Sequence, residues 1–399
     1  MIFPQLIFGD AKALMTSFNS NFIKADQKIL FVSDQKIWQN CQRFFPQKFL
    51  DNFTKILILK NPQADWKNLQ KIYEASENCN FILALGSGTI SDLCKYSSAQ
   101  KNIPYAIFIS AASMNGYLSK NASITISGHK KTLPATLPKA VFCDLKILKS
   151  APLELTKAGI GDSLCFYCCW FDWYLSHRIL GSKFDKKPFE ILRKKMKFFV
   201  KNFAKFSLQD ESFLKLLIEI LLLSGQGMTI ADGSYPASQS EHLIAHTISM
   251  KFPKIAAKTL HGQQIAVTSL TVAKLQKKLL DKYSAKFPLS ITRSFVSIVE
   301  IENFFGKKIA KECAVEFQKK IFSQKKINQI NILLQKNWQK IRQDLQKIYF
   351  DDKRLKKIFT HFKIKTSPQS LGLSKSQYQD CIMFAKFIRN RFTCLDLFY

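Results

Sequence analysis

The stretch "ILALGSGTISDLCKYSS", residues 82–98, passes from apolar residues through Gly86 and Gly88 into a segment of helical pattern. A short apolar run bounded by glycines is typical of a buried strand. A strand that turns on glycines into a helix gathers backbone N–H groups and the positive end of a helix dipole, which suits a phosphate. The spacing lacks the full G-x-G-x-x-G pattern, so a plain strand-to-helix turn remains an alternative.

Three further apolar runs of the same kind occur in the first 150 residues: "KILFVSD" (28–34), "KILILK" (55–60) and "YAIFISA" (105–111). Such runs, separated by room for helices, predict a parallel α/β sheet. From Leu153 onward the apolar residues are spaced three and four apart, as in helices. We therefore expect an α/β protein, with a Rossmann-like nucleotide-binding domain over residues 1–152 and an all-helical metal- and substrate-binding domain over residues 153–399.

Net charge is the most unusual feature of the composition: 60 Lys and Arg stand against 29 Asp and Glu, giving +31. The basic residues are dispersed along the chain, a pattern typical of solvated helix faces, so we do not expect a nucleic-acid partner. A positive surface would instead attract small phosphorylated substrates. With 47% hydrophobic residues and 35 Phe, the chain is predicted to bury a large core.

No membrane span is expected, because the longest apolar run, residues 213–223, is far shorter than the roughly 20 residues a spanning helix needs. The N-terminal residues lack a secretory pattern, and ten Cys suggest reduced thiols, so we expect a cytoplasmic protein. Cys165, Cys168 and Cys169 lack a second cysteine pair at zinc-site spacing, which favours small buried residues over a metal site.

A possible metal site comes from four residues: Asp162, His242, His246 and His261. Three of the six His in the chain fall within 20 positions, and His242 and His246 share one helix face if their segment is helical. One carboxylate and two imidazoles would leave coordination positions open, as in a catalytic metal site. Each His alone is better explained as a structural or surface histidine.

Seven segments together carry a resemblance to a known family: "GSGTISDLCKYSS", "ISAASMNGYLSKNASI", "LPKAVFCDLKILKSAPLELTKAGIGDSL", "FDWYLS", "SQSEHLIAHTISM", "LHGQQIAV" and "FIRNRFTCLDL". They resemble the sn-glycerol-1-phosphate dehydrogenases, which belong to the superfamily of iron-containing alcohol dehydrogenases and dehydroquinate synthases. The likeness runs from about residue 28 to the C-terminus.

The resemblance implies roles for particular residues. It implies that Asp162, His242 and His261 bind a divalent metal and that His246, Asp162 and Asn115 lie at the substrate. The cofactor residues that it implies are Gly86, Ser87, Gly88, Thr89, Ile90, Asp92, Ser110, Ser113 and Ser119. Asp34, which follows the run 28–33, is placed to accept hydrogen bonds from an adenosine ribose.

Two positions depart from the family pattern. Asn115 stands where the family usually has an Asp, and an amide keeps hydrogen-bonding capacity but gains a donor, so substrate preference is expected to shift. Ser87 interrupts the usual glycines of the cofactor turn. Its effect should be modest unless position 87 needs a positive φ.

The activity that the resemblance implies is metal-dependent reduction of dihydroxyacetone phosphate by NADH or NADPH, giving sn-glycerol 1-phosphate reversibly. Zn²⁺, Ni²⁺ and Fe²⁺ all suit an Asp/His/His site, and a homodimer is the default expectation. Alternatives are another phospho-ketose, a dehydroquinate synthase-like reaction, or a basic binding protein without turnover. The usual Glu of dehydroquinate synthases is Asp162 in this chain, which disfavours the second of these.

Overall fold

A computed structural model describes residues 3–23, 26–126, 129–284, 286–292 and 297–399. The chain divides into two compact units. The first comprises Met1–Ser163 and Ile191–Gly233, and the second comprises Leu164–Glu190 and Ser234–Tyr399.

The described residues of the first unit form eight strands: β1 (Gln5–Phe8), β2 (Ile29–Asp34), β3 (Lys55–Leu59), β4 (Phe81–Gly86), β5 (Tyr105–Ile109), β6 (Asn121–Ile126), β7 (His129–Pro134) and β8 (Ala140–Cys143). Six of them form one sheet in the order β1-β8-β5-β4-β2-β3, with every neighbouring pair parallel. Strands β6 and β7 form a separate antiparallel hairpin. The parallel α/β sheet expected from the four apolar runs is confirmed, and those runs are β2, β3, β4 and β5.

Sixteen α-helices are found in the described residues: α1 (Ala11–Phe22), α2 (Gln35–Cys41), α3 (Trp66–Ala75), α4 (Gly88–Lys101), α5 (Leu145–Ser150), α6 (Leu153–Leu180), α7 (Lys187–Asn202), α8 (Glu211–Ile230), α9 (Ser240–Lys251), α10 (Pro253–Ala256), α11 (His261–Lys282), α12 (Ile298–Phe305), α13 (Lys307–Gln318), α14 (Gln324–Ile348), α15 (Asp352–His361) and α16 (Lys375–Phe384). From Leu153 onward the regular elements of the described residues are all helical, as expected.

The two compact units differ from the predicted domains 1–152 and 153–399, because residues 153–163 and 191–233 belong with the sheet. Helix α8 explains part of this, since it packs against the segment Gly116–Leu118 and against α5. The prediction concerned which residues bind nucleotide and which bind metal, and that division stays a prediction.

The core of the first unit surrounds the central strands of the sheet. Every residue of β4 and β5 is buried, because strands in the middle of a parallel sheet are covered on both faces. Aromatic rings fill one face: Phe31 stacks on Phe53 and Phe108 stacks on Phe142, with ring centroids 5.0 and 4.7 Å apart. Since β4 lies between β2 and β5, the turn after β4 opens at the middle of the carboxyl edge, where ligands bind in such sheets.

Helix α8 is long and apolar enough to cross a membrane, with a mean hydropathy of 1.5 over its most apolar window. Two-thirds of that window is buried inside the structure, as in the core helix of a globular unit. No other helix of the described residues meets the same test.

Candidate active site

The turn after β4 has the geometry expected of a phosphate site. Strand β4 ends at Gly86, and α4 begins at Gly88, with Ser87 as its N-cap residue. Ser87, Gly88 and Thr89 are partly exposed. Because the first N–H groups of a helix have no partner within the helix, the start of α4 offers donors and a positive dipole end to an anion.

Glycine is required at position 86 by a close approach. A Cβ at Gly86 would lie 2.4 Å from Cβ of Ile90 in the first turn of α4, and one at Gly88 would lie 3.3 Å from Cγ of Met114. Ser87 has φ of −105°, an ordinary extended value that places no demand for glycine. The interruption of the glycine run by Ser87 is therefore compatible with the turn.

The two acidic residues predicted at the cofactor each have a partner. Asp34 ends β2, and its Oδ1 accepts hydrogen bonds from the N–H groups of Lys36 and Ile37 at 2.7 and 3.3 Å, which caps α2. Asp92 lies one turn into α4 and contacts Lys95 Nζ at 3.5 Å. Capping explains Asp34 without a ribose, so its cofactor role stays a prediction.

The segment after β5 returns to the same turn. The N–H of Ser110 donates to the carbonyl oxygen of Gly86 at 3.0 Å, which fixes the segment beside the start of α4. Tyr117 is fully buried, and its hydroxyl donates to the carbonyl oxygen of Ala111 at 2.8 Å. Ser110, Ser113 and Ser119 are all buried within this segment. Their predicted place at the nicotinamide remains a prediction.

Asn115 is tied to Asp162 inside the first unit. The backbone N–H of Asn115 donates to Asp162 Oδ2 at 2.7 Å, and both residues are buried. The Nδ2 atom of Asn115 is buried and has no hydrogen-bond partner among the described residues. A buried amide without a partner is uncommon in proteins, so a ligand atom is a natural acceptor for it.

Two glycines on α6 and α8 let these helices approach residues 110–119, which we call the Asn115 segment. A Cβ at Gly159 would lie 2.0 Å from the carbonyl oxygen of Ala112, and one at Gly225 would lie 2.6 Å from that of Asn115. Any larger residue at either position would push the segment away from Asp162.

Lys95 also holds this segment and was missed in the sequence. Its fully buried side chain donates from Nζ to the carbonyl oxygens of Gly116 and Asn121 at 2.6 and 3.2 Å. Burial lowers the pKa of Lys95, and the nearby Asp92 partly offsets that effect. The pattern "DLCKY" offered a weak signal, because a lysine inside an otherwise apolar helix face needs internal partners.

The three histidines of the second unit lie together. His242 and His246 lie on α9, as their spacing predicted, and His261 is the first residue of α11. The ring centroids of His242 and His261 are 5.1 Å apart. The ring centroid of His246 lies 6.0 Å from that of His242 and 5.9 Å from that of His261. His242 and His246 are buried.

The Nδ1 atoms of His242 and His246 have hydrogen-bond partners of opposite kinds. His242 Nδ1 lies 2.8 Å from Glu241 Oε1, and a carboxylate only accepts, so Nδ1 carries a proton and the neutral form of the ring has its lone pair on Nε2. His246 Nδ1 lies 3.1 Å from Nη2 of Arg389, and a guanidinium only donates, so this nitrogen accepts. These contacts are compatible with the predicted roles of His242 as a metal ligand and His246 as a residue at the substrate, which stay predictions.

Glu241 is completely buried and is ionised. Its Oε1 also accepts hydrogen bonds from the N–H of Gln239 at 2.8 Å and from Cys169 Sγ at 3.1 Å. Burial by itself would raise the pKa of Glu241, but the hydrogen bonds from His242, Gln239 and Cys169 outweigh it and the pKa is lowered. An anionic carboxylate behind an imidazole is the usual support of a histidine ligand, so the residues present fit a divalent metal.

The segment "FIRNRF" contains two partly buried arginines, of which Arg389 contacts His246. Burial lowers the pKa of Arg389 to about 10, which leaves it charged at neutral pH, and Arg391 adds to that lowering. Arg391 donates to the carbonyl oxygen of Ser238 and stacks over Tyr235. A guanidinium group in contact with a histidine of this group favours an anionic ligand there.

The cysteines of α6 are organised around Glu241. Ligand atoms of Cys165, Cys169 and Glu241 lie within 4.8 Å of one another, a spacing compatible with a metal. Burial raises the pKa of Cys169 well above its usual value, and its thiol donates to Glu241. Protonated donor thiols agree with the expectation of small buried residues.

Comparisons with known proteins agree with the expected resemblance. Residues 13–152 match the sequence model of the iron-containing alcohol dehydrogenases. A glycerol-1-phosphate dehydrogenase of Thermococcus sibiricus is 36% identical over 57% of this chain and 65% of its own length. One of Bacillus subtilis is 31% identical over 54% of this chain and 55% of its own length. The chain thus spans less than two-thirds of each of these relatives.

Solved structures share the fold at low sequence identity. An NADH-dependent butanol dehydrogenase of Thermotoga maritima has a TM-score of 0.62 at 13% identity, covering 98% of this chain and 91% of its own. A sulfoacetaldehyde reductase of Bifidobacterium kashiwanohense has a TM-score of 0.59 at 12% identity, covering 99% and 97%. Over residues 13–152 the chain is similar in sequence to the iron-containing alcohol dehydrogenases, and its fold is similar to that of these solved dehydrogenase and reductase structures.

Proposed function

We propose that this protein is a metal-dependent NAD(P)H oxidoreductase that reduces dihydroxyacetone phosphate to sn-glycerol 1-phosphate, reversibly. The observation that carries the proposal is the histidine group of the second unit, in which His242 contacts the Glu241 carboxylate and His246 contacts the Arg389 guanidinium group. The relatives named glycerol-1-phosphate dehydrogenase support the choice of substrate.

The proposed metal ligands are Asp162, His242 and His261. His242 Nε2 keeps its lone pair, and Asp162 has a carboxylate held by Asn115 in the first unit. The bound ion would act as a Lewis acid toward the ketone oxygen. Zn²⁺ is our first choice for its identity, ahead of Ni²⁺ and Fe²⁺, since imidazole and carboxylate ligands suit all three.

The chain's own groups would bind and orient the two substrates. The start of α4 would hold the cofactor pyrophosphate, with Asp34 at the ribose and the serines near residues 110–119 at the nicotinamide. Asn115 Nδ2 would donate to a substrate oxygen, which would end its lack of a partner. His246, with Arg389 at Nδ1, would donate a hydrogen bond from Nε2 to the substrate oxygen, and the proton taken up by the reduced oxygen would come from water.

A second candidate is the reduction of a different phosphorylated ketone by the same machinery. Asn115 favours it, because the amide places a buried donor where the family usually has an acceptor.

We also propose a cytoplasmic homodimer that uses either NADH or NADPH.

The test is oxidation of NADH and of NADPH by protein reconstituted with Zn²⁺, Ni²⁺ or Fe²⁺, with dihydroxyacetone phosphate and a panel of other phospho-ketoses. Turnover of dihydroxyacetone phosphate that a chelator abolishes and added metal restores is expected. Turnover of another phospho-ketose alone would select the second candidate. Silence on the whole panel would overturn both.

A further inference from the structure

We propose that Glu241 is a positioning residue: it sets the tautomer of His242 and thereby raises the affinity of the site for its divalent metal. The inference rests on the proposed function, since it takes His242 to be a metal ligand. It adds a residue that neither the motif spacing nor the resemblance identified.

The first step of the argument is the hydrogen bond itself. His242 Nδ1 and Glu241 Oε1 are 2.8 Å apart, and Glu241 is wholly buried. A free neutral imidazole exchanges its proton between both nitrogens, so a fixed acceptor at Nδ1 selects the ring form that presents Nε2 to a metal. The charge of the carboxylate also strengthens the imidazole as a ligand.

The second step is that the surroundings fix the carboxylate. The oxygen that accepts from His242 also accepts from the N–H of Gln239 and from the thiol of Cys169. The first contact comes from the residue before α9 and the second from α6, so Oε1 is held from two elements. A buried charge with this many donors has a single favoured position.

The third step separates Glu241 from the other buried carboxylate nearby. Asp172 accepts from Ser240 and from Gln276 Nε2, the latter at 3.0 Å, and among the described residues it has no hydrogen bond with a histidine. Asp172 is as fully buried as Glu241 and lies close to it, but Glu241 accepts from a histidine and Asp172 does not. Asp172→Asn is therefore a control for the loss of a buried acid at this place.

The experiment titrates the metal-free protein with Co²⁺ and follows the visible absorption of the bound ion. Glu241→Gln keeps an acceptor of the same size but removes the charge, and we expect Co²⁺ affinity to fall about 10- to 100-fold. Asp172→Asn should stay within about threefold of the unmodified protein, as expected for a group that does not contact the ligand. Circular dichroism of each variant establishes that it is folded.

A second readout needs neither metal nor activity. With only six His in the chain, long-range ¹H–¹⁵N spectra of the metal-free, histidine-labelled protein can report each ring tautomer. We expect His242 to carry its proton on Nδ1 in the unmodified protein and in Asp172→Asn, and to lose that preference in Glu241→Ala. Retention of the Nδ1 proton in Glu241→Ala would overturn the inference.

The outcomes are distinguishable from failure of the proposed function. If the unmodified protein binds no Co²⁺, both the proposed function and this inference fail. If it binds Co²⁺ and Glu241→Gln binds equally well, this inference alone fails. Sulfur-to-cobalt charge-transfer absorption that disappears in Cys169→Ser would place the ion at Cys165, Cys169 and Glu241, and would also overturn it.

Discussion

The backbone N–H of Asn115 donates to Asp162 Oδ2 across 2.7 Å, so the residue that departs from the family pattern is bonded to a proposed metal ligand. This bond uses the main chain and is independent of the side chain at position 115. The side-chain amide is left with a buried Nδ2 that has no partner among the described residues. A substitution at position 115 is therefore expected to keep the contact with Asp162, and under the proposed function it would change substrate preference.

Asn115→Asp tests this relationship. A carboxylate accepts but does not donate, so we expect kcat/KM for dihydroxyacetone phosphate to rise about two- to tenfold relative to other phospho-ketoses, the worth of one hydrogen bond. Asn102→Asp, at the C-terminal end of α4, makes the same chemical change elsewhere in the first unit. If the unmodified protein, Asn115→Asp and Asn102→Asp all have the same preference for dihydroxyacetone phosphate over other phospho-ketoses, the Asn115 amide does not contact the substrate.

The glycine turn predicts opposite results at adjacent positions. Gly86→Ala should lower the melting temperature and weaken NADH binding, because its Cβ would lie 2.4 Å from that of Ile90. Ser87→Gly should leave the Kd for NADH within about twofold, because Ser87 already has an ordinary φ of −105°. Fluorescence titration with NADH measures both. Marked tightening in Ser87→Gly would show that the serine impairs the phosphate site.

Lys95→Met tests whether the buried ammonium group positions the Asn115 segment. The substitution keeps the apolar stem but leaves the carbonyl oxygens of Gly116 and Asn121 without their donor. We expect a loss of about 2 kcal/mol in the free energy of unfolding. KM for the phospho-ketone should rise about tenfold through misplacement of the segment.

Urea unfolding and steady-state kinetics measure the two effects. The control is Lys67→Met, an exposed lysine on α3 that should change neither quantity. A fall in stability with unchanged KM would show that Lys95 supports the fold and not the substrate segment.

Asp172 gives the second unit a pH-dependent stability. Burial raises the pKa of Asp172 from 3.8 to about 7, with Ser240 and Gln276 opposing the rise and Glu241 adding to it. Between about pH 4 and 7 the Asp172 carboxyl is therefore protonated in the folded protein and ionised in the unfolded chain. Because the folded state binds the extra proton, the free energy of unfolding falls as the pH rises through that window. Across the whole window this effect lowers the free energy of unfolding by on the order of 4 kcal/mol.

Asp172→Asn cannot ionise and should remove that slope. Unfolding free energies measured between pH 4 and 8 should fall less steeply with pH in the variant than in the unmodified protein. Identical slopes in the two proteins would mean that Asp172 is ionised throughout the range.

The sequence predicted the elements with a strong local pattern. The four apolar runs, the glycine turn and the helical spacing of His242 and His246 are short-range features, and each appears in the structure. Strands β1 and β8 are only four residues long, too short for their pattern to stand out. The hairpin of β6 and β7 carries polar residues at most positions and gave no strand signal.

The residues that sequence reasoning missed act through distant or unpatterned contacts. Lys95 bonds carbonyl oxygens 21 and 26 residues away, and Arg389 reaches His246 over 143 positions. Glu241 is adjacent to His242, yet its burial and its bond to Cys169 depend on packing between helices. Side-chain partners across a fold cannot be predicted from spacing along one chain.

The most direct test of the central claim compares His261→Ala with the control His361→Ala, which removes an exposed histidine on α15. Both proteins are assayed for NADH binding and for chelator-sensitive turnover of dihydroxyacetone phosphate. We predict that His261→Ala binds NADH normally and has no metal-dependent turnover, whereas His361→Ala keeps both. Full chelator-sensitive turnover in His261→Ala would contradict the account.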